Sequence, residues 1–126
     1  MGIGPAPATV NEWVDLTFVN RPVWLQLHTG DPGTNGASNL ADVDGRQLVM
    51  FTRTSTGIVQ PTGDPARFVV DELADDANIT HGSLHSAAEG GTWVWNLVAL
   101  SPTAVVGGDE VTVGAGMEFR VTGWTA

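Results

Sequence analysis

A chain of 126 residues with 42% hydrophobic content is long enough for one domain to bury a sizeable core, and the absence of cysteine excludes disulfides and thiolate metal sites. Fourteen acidic residues against five basic ones, all arginine, give a net charge of −9. That balance argues against nucleic acid, which needs a basic patch to displace counterions, and against docking on an anionic membrane.

No apolar run approaches the ~20 residues of a bilayer span. Met1 to Pro5 has neither the charged start nor the long apolar stretch of a secretory signal. Residues 1–8 carry two prolines, two glycines and no charged side chain, a composition that reads as an extended arm. Ile3, Pro5 and Pro7 are its candidate contacts with a neighbouring subunit. The rest of the chain, residues 9–126, reads as a single β-domain led by one short helix, at about 9–20. Thr9 and Glu12 have the spacing of a capping box. Val10, Trp13, Val14 and Phe18 recur at helical spacing and predict one apolar stripe, which Pro22 ends.

Val23, Leu25 and Leu27 alternate with Trp24, Gln26 and His28, the period of a strand with one buried face. Gly30, Asp31, Pro32 and Gly33 stop that strand, and a Gly-, Asn- and Asp-rich loop runs on to Gly45. Further strands are predicted over Arg46–Arg53, Ala66–Val70, Asn78–Ser86, Thr92–Leu100, Glu110–Val113 and Met117–Trp124, with a bulge near Gly82. Short strands at such intervals predict an all-β, single-domain antiparallel sandwich or jelly-roll.

Candidate chemistry is sparse. His81 and His85 are four apart, but in a regular strand that separates them by about 13 Å, too far for one ion. His28 with Asp31 is the metal pair that distance leaves open. Serine hydrolysis has no G-x-S-x-G elbow to build on. Asp71, Glu72, Asp75 and Asp76 read as a solvated acidic loop. These observations predict no catalytic residue, no metal and no cofactor. Trp93 and Trp95 fall on one face of a single strand by simple alternation. At least one of them reads as core; the alternative is an exposed aromatic patch, either a subunit interface or a platform for stacking carbohydrate.

Several strings occur in a distinctive order. They are Leu27-His28-Thr29-Gly30-Asp31-Pro32-Gly33, Arg46-Gln47, Ile79-Thr80-His81-Gly82-Ser83-Leu84, Gly90-Gly91, Trp93-Val94-Trp95 and Val106-Gly107-Gly108-Asp109-Glu110-Val111. In that order they resemble a family of small actinobacteriophage virion proteins, over about residues 10–124. The resemblance implies a non-enzymatic structural protein of the virion. Because no coiled coil or collagen-like stalk follows the domain, the expectation is a capsid decoration or cement (minor capsid) protein outside the head. Its partners are then the major capsid protein and copies of itself, as a homotrimer. The alternative is a tail, tail-tip or fibre component that touches host-surface glycan.

Overall fold

The computed structural model describes residues 7–17, 19, 21–34, 36–114 and 116–122. A helix, α1 (Pro7–Thr17), precedes β1 (Val23–His28), β2 (Gln47–Ser55), β3 (Ile58–Thr62) and β4 (Ala66–Val69). β5 (Ala77–His85), β6 (Trp93–Val105), β7 (Glu110–Val113) and β8 (Phe119–Val121) follow. The fold is all-β with one short helix, as expected, but the main sheet closes on itself instead of facing a second sheet. β1-β2-β3-β8-β6-β5 form an antiparallel barrel, and β4 pairs with β7 in a separate ladder. Closure pairs the outer strands with each other and so leaves fewer open edges than a sandwich.

Alternation decides what fills the barrel. Leu25 and Leu27 of β1, Phe51 of β2, Val59 of β3, Leu84 of β5, Leu97 of β6 and Phe119 of β8 are all fully buried. Phe51 and Phe119 meet edge to face, with centroids 6.1 Å apart and planes at 84°, the geometry favoured by the ring quadrupoles. Phe68 of β4 and Val113 of β7 belong to the same core, as do Val10 and Val14 of α1. Each such side chain contributes about 1.5–3 kcal/mol of burial. Gly82 sits opposite Leu27 and Leu97 in the ladder. A Cβ there would lie 2.9 Å from Leu25 Cδ1, so the glycine makes room for the barrel filling.

Several expectations are corrected. The helix starts at Pro7, which is tolerated in a first turn because its missing N–H has no intrahelical partner there. Thr9 therefore lies inside the helix and does not cap it. Trp13 is 48% exposed, so the apolar stripe narrows to Val10 and Val14; Phe18 lies outside the described residues. β3 is not among the expected strands, and Pro61 lies within it. It is tolerated because β8 pairs only with Ile58 and Val59, leaving no neighbour on that side of Pro61 to want its N–H. β6 runs on to Val105 because Pro102 falls where its register with β5 slips, between Ile79↔Thr103 and His81↔Val98. The bulge expected near Gly82 is found as two, between Ile79 and His81 and between Leu84 and His85.

Candidate functional site

The outer face of the β1–β5–β6 wall is polar, because residues opposite one another in a ladder share a face. Gln26 pairs with Ser83, His28 with His81, Trp24 with His85, and Ser83 with Asn96. The loop after β1 folds back over this wall. Thr29 N–H donates to Asn39 O at 2.9 Å and Ala41 N–H to Leu27 O at 3.0 Å, closing the loop at its base. Asp31 Oδ1 accepts Gly33 N–H at 3.0 Å, and Asn39 Nδ2 donates to Asp31 O at 2.9 Å. The Gly-, Asn- and Asp-rich loop is thus closed at its base and tied within itself.

Under the loop, polar groups are buried and their protons can be assigned from their partners. His28 Nδ1 lies 2.8 Å from Ser38 O, and a carbonyl only accepts, so Nδ1 carries the proton. In the neutral ring Nε2 then accepts, from Ser83 Oγ at 2.7 Å. The Ser83 hydroxyl has given its one proton, so it accepts from His85 Nε2–H at 2.8 Å. The chain of donors runs His85 to Ser83 to His28 to Ser38. Burial is the main cause that pushes His85 down to about 4, helped by the nearby Arg46 and His28 charges. Burial likewise lowers His28, opposed by its bond to Ser38 and aided by His81 and Arg46. Arg46 is itself tied, Nε to Gln26 Oε1 at 3.0 Å and Nη1 to Ala87 O and Gly90 O at 2.9 Å.

A serine beside a histidine invites comparison with a nucleophile and its base. Ser83 is wholly buried, and Gly36 of the loop lies directly over it and His85, so the hydroxyl has no open approach. His81 turns elsewhere, with Nδ1 2.7 Å from Thr80 Oγ1. His28 and Asp31, the other weighed pair, are bonded to Ser83 and Gly33 respectively. Among the described residues no three His, Asp or Glu side chains converge on one point.

Beside the loop lies an open groove of about 600 Å³, lined by Asp31, Gly33 and Thr34 from the loop and His81 from β5. Trp93, Trp95, Asn96 and Val98 of β6 form its other side, with Thr122. The ladder slips between Leu84↔Trp95 and His85↔Trp93, so the two tryptophans do not share a face as expected: Trp95 stands opposite the buried Leu84 and packs against the core, Trp93 stands opposite His85, and both residues line the groove. Trp93 Nε1 donates to Asn96 Oδ1 at 2.8 Å and Trp95 Nε1 to Thr122 O at 2.9 Å. Asn96 Nδ2 donates to Gly33 O at 2.6 Å, pinning the loop to the same strand. A larger groove, about 800 Å³, runs past Leu100, Pro102 and Met117 and has no aromatic lining.

Of the other candidate contacts, Ile3 and Pro5 lie outside the described residues. Pro7 is exposed, but as the first residue of α1 it is not part of an extended arm. Asp31 and Asn96 went unrecognised as groove residues. Their only sequence signal is a polar residue next to a turn and a polar residue inside an aromatic strand.

No curated protein matches the chain. A protein-family model does, across residues 8–118: Podophage GP4 fiber I protein gp80. The match supports a phage virion structural protein, as expected, while the actinobacteriophage grouping finds no counterpart in it. The chain belongs to the podophage GP4 fiber I protein gp80 family.

Proposed function

We propose that this chain is a non-enzymatic fibre component of a phage tail, and that it contacts the host surface through the Trp93–Trp95 groove. The observation that carries the reading is the groove itself: two indoles with their N–H groups bonded within the fold, bordered by Asp31, Thr34, His81 and Asn96. Aromatic rings held in place and flanked by hydrogen-bonding groups are the usual make-up of a recognition surface. The family's description as a fibre protein supports the tail over the head. Decoration of the head shell leaned on an apolar arm, and Pro7, the one described member of its contact set, stands in the helix.

Self-association belongs to the same proposal. Trp13 and Leu16 of α1, and Leu48 and Met50 of β2, are exposed apolar side chains that a symmetric homo-oligomer, a trimer in the expected form, would cover. The test is immunogold electron microscopy of intact virions with serum raised against the chain, joined to an adsorption assay. Label at the tail end is expected, with purified chain competing for adsorption and Trp93→Ala or Trp95→Ala chain weaker by roughly ten-fold or more. Label scattered over the head would reject the fibre reading and restore decoration of the capsid.

A further inference from the structure

We infer that the loop over the β1–β5–β6 wall is an acid-released cover: protons taken up by the His28–Ser83–His85 cluster lift residues 30–39 while the barrel stays folded. The loop seals the cluster with backbone. A Cβ on Gly36 would lie 2.9 Å from the His85 ring and 3.0 Å from Ser83 Cβ, so water reaches the two only if the chain itself moves. Three bonds hold the loop down, from Asn96 to Gly33 O, from Gln26 to Gly36 O and from His28 to Ser38 O. Only the last involves a group that titrates. At the base, Thr29 N–H to Asn39 O and Ala41 N–H to Leu27 O close the loop separately, so the residues between can lift from a fixed pair of ends. The core side chains Leu25, Leu84 and Leu97 are buried within the barrel and do not depend on that cover.

The trigger lies in how many protons the cluster can hold. One proton per ring completes the chain of donors from His85 through Ser83 and His28 to Ser38 O. A further proton on His28 Nε2 points two N–H groups at one hydroxyl. The alternative is to reverse the chain and move the His85 proton to Nδ1, which has no acceptor among the described residues. The charges around the rings give no relief. Arg46, beside β2, and His81 of β5 both oppose a positive His28, and Arg46 and His28 oppose a positive His85. No carboxylate is among these groups: Asp31 of the loop accepts Gly33 N–H, and Glu89 of the β5–β6 turn is exposed. β1 and β6 contribute only Trp24, Gln26, Trp93 and Asn96 beside the cluster, none of which ionises. Lifting the loop returns both rings to water, where the open form takes protons that the closed form refuses. The closed form is therefore fully favoured above about pH 6.5 and loses ground as pH falls. From about 4 against 6.5, His85 alone raises the open fraction on the order of twenty-fold between pH 7 and pH 5.

The chain has no cysteine, so Pro32→Cys places a single thiol at a buried position of the loop. Its trapping by dithiodipyridine is followed in the full chain at pH 7, 6 and 5, each rate divided by that of glutathione at the same pH. Val113→Cys, in the core of β7, reports global unfolding in the same way. The Pro32→Cys rate is expected to rise on the order of twenty-fold from pH 7 to pH 5 and to exceed that of Val113→Cys by roughly a hundred-fold or more, since a local opening costs less than unfolding. His85→Gln keeps an N–H donor for Ser83 Oγ and cannot take a proton; added to Pro32→Cys, it is expected to cut the rise by about five-fold or more. No rise, or a rise undiminished by His85→Gln, overturns the inference. Equal trapping of Pro32→Cys and Val113→Cys overturns it as well, because the opening is then global. Hydrogen exchange of the unaltered chain tests it without any substitution. Amides of residues 30–39 are expected to exchange faster at pH 5 than at pH 7 after division by their intrinsic rates, with those of β5 and β6 slower at both. A loop that does not quicken refutes the acid release.

Discussion

Replacing Ser83 by alanine cuts the one hydroxyl that joins two buried imidazoles. In the native chain Ser83 Oγ gives its proton to His28 Nε2 at 2.7 Å and takes one from His85 Nε2 at 2.8 Å. Without it an acceptor and a donor are both left beneath the loop, each at about 1–3 kcal/mol when unsatisfied. Gln26 Nε2 stands 3.4 Å from His28 Nε2 and can close in to restore part of the first. The expected loss is therefore about 2–4 kcal/mol, a large share of the roughly 5–15 kcal/mol typical of a domain. Urea unfolding followed by tryptophan fluorescence measures it, with the m-value unchanged if only the native state is weakened. Thr112→Ala, at an exposed strand position, serves as control and is expected within about 0.5 kcal/mol of wild type. A Ser83→Ala loss as small as the control's would refute the proposed chain of donors.

The same network predicts a pH dependence. His28 and His85 are held below 6.5 in the folded chain, so below that pH the unfolded chain binds protons that the folded one refuses. Stability should be level above about pH 6.5 and fall as pH drops toward 4. His85 accounts for on the order of 3 kcal/mol across that range, from about 4 against 6.5 at about 1.4 kcal/mol per pH unit. Unfolding at pH 7, 6 and 5, above the carboxylate range, checks it, and a level profile would contradict it. Gly36→Ala should cost about 2–3 kcal/mol: its φ is +70°, and the new Cβ would sit 2.9 Å from the buried His85 ring. Thermal unfolding decides, and an unshifted midpoint would mean the loop does not press on His85. By contrast Arg53→Gln should cost at most about 1 kcal/mol. Its pairing with Asp15, at 2.9 and 3.1 Å, is solvent-exposed, and a loss above 2 kcal/mol would speak for a larger role.

What was legible in the sequence was whatever rests on local periodicity. β1 follows the alternation of Val23, Leu25 and Leu27 to the residue. β7 is read as closely, from Glu110 to Val113. β3 and the second half of β6 were not expected; Pro61 and Pro102 lie in them, at places where the neighbouring ladder is absent or slipped. Whether a strand tolerates proline depends on its partner, which local sequence does not reveal. Closure into a barrel is non-local for the same reason, since it hangs on β8, only three residues long, bridging β3 and β6. The candidate site was half legible. Trp93 and Trp95 stood out by type, whereas Asp31 joins them only because the loop folds back. Gln26, His28, Ser83 and His85 share a strand face that only the folded-back loop covers, which local sequence does not show.

The covering loop ties these features together. One side of the groove is built on β6, whose indoles are bonded to Asn96 and Thr122. The other is Asp31, Gly33 and Thr34, on a segment without regular secondary structure. A loop laid on an apolar wall gains burial but little positional control, because dispersion contacts are non-directional. Here Gly33 O is fixed by Asn96, Gly36 O by Gln26 at 2.8 Å, and Ser38 O by His28. Those three carbonyls are spread along the loop, and each meets a donor on a different strand position of the barrel wall. Burying Gln26, His28, Ser83 and His85 costs desolvation that leucines would avoid, but directional bonds select one loop position where an apolar seam would admit several. Three bonded carbonyls thus hold the loop that carries Asp31 against the barrel wall.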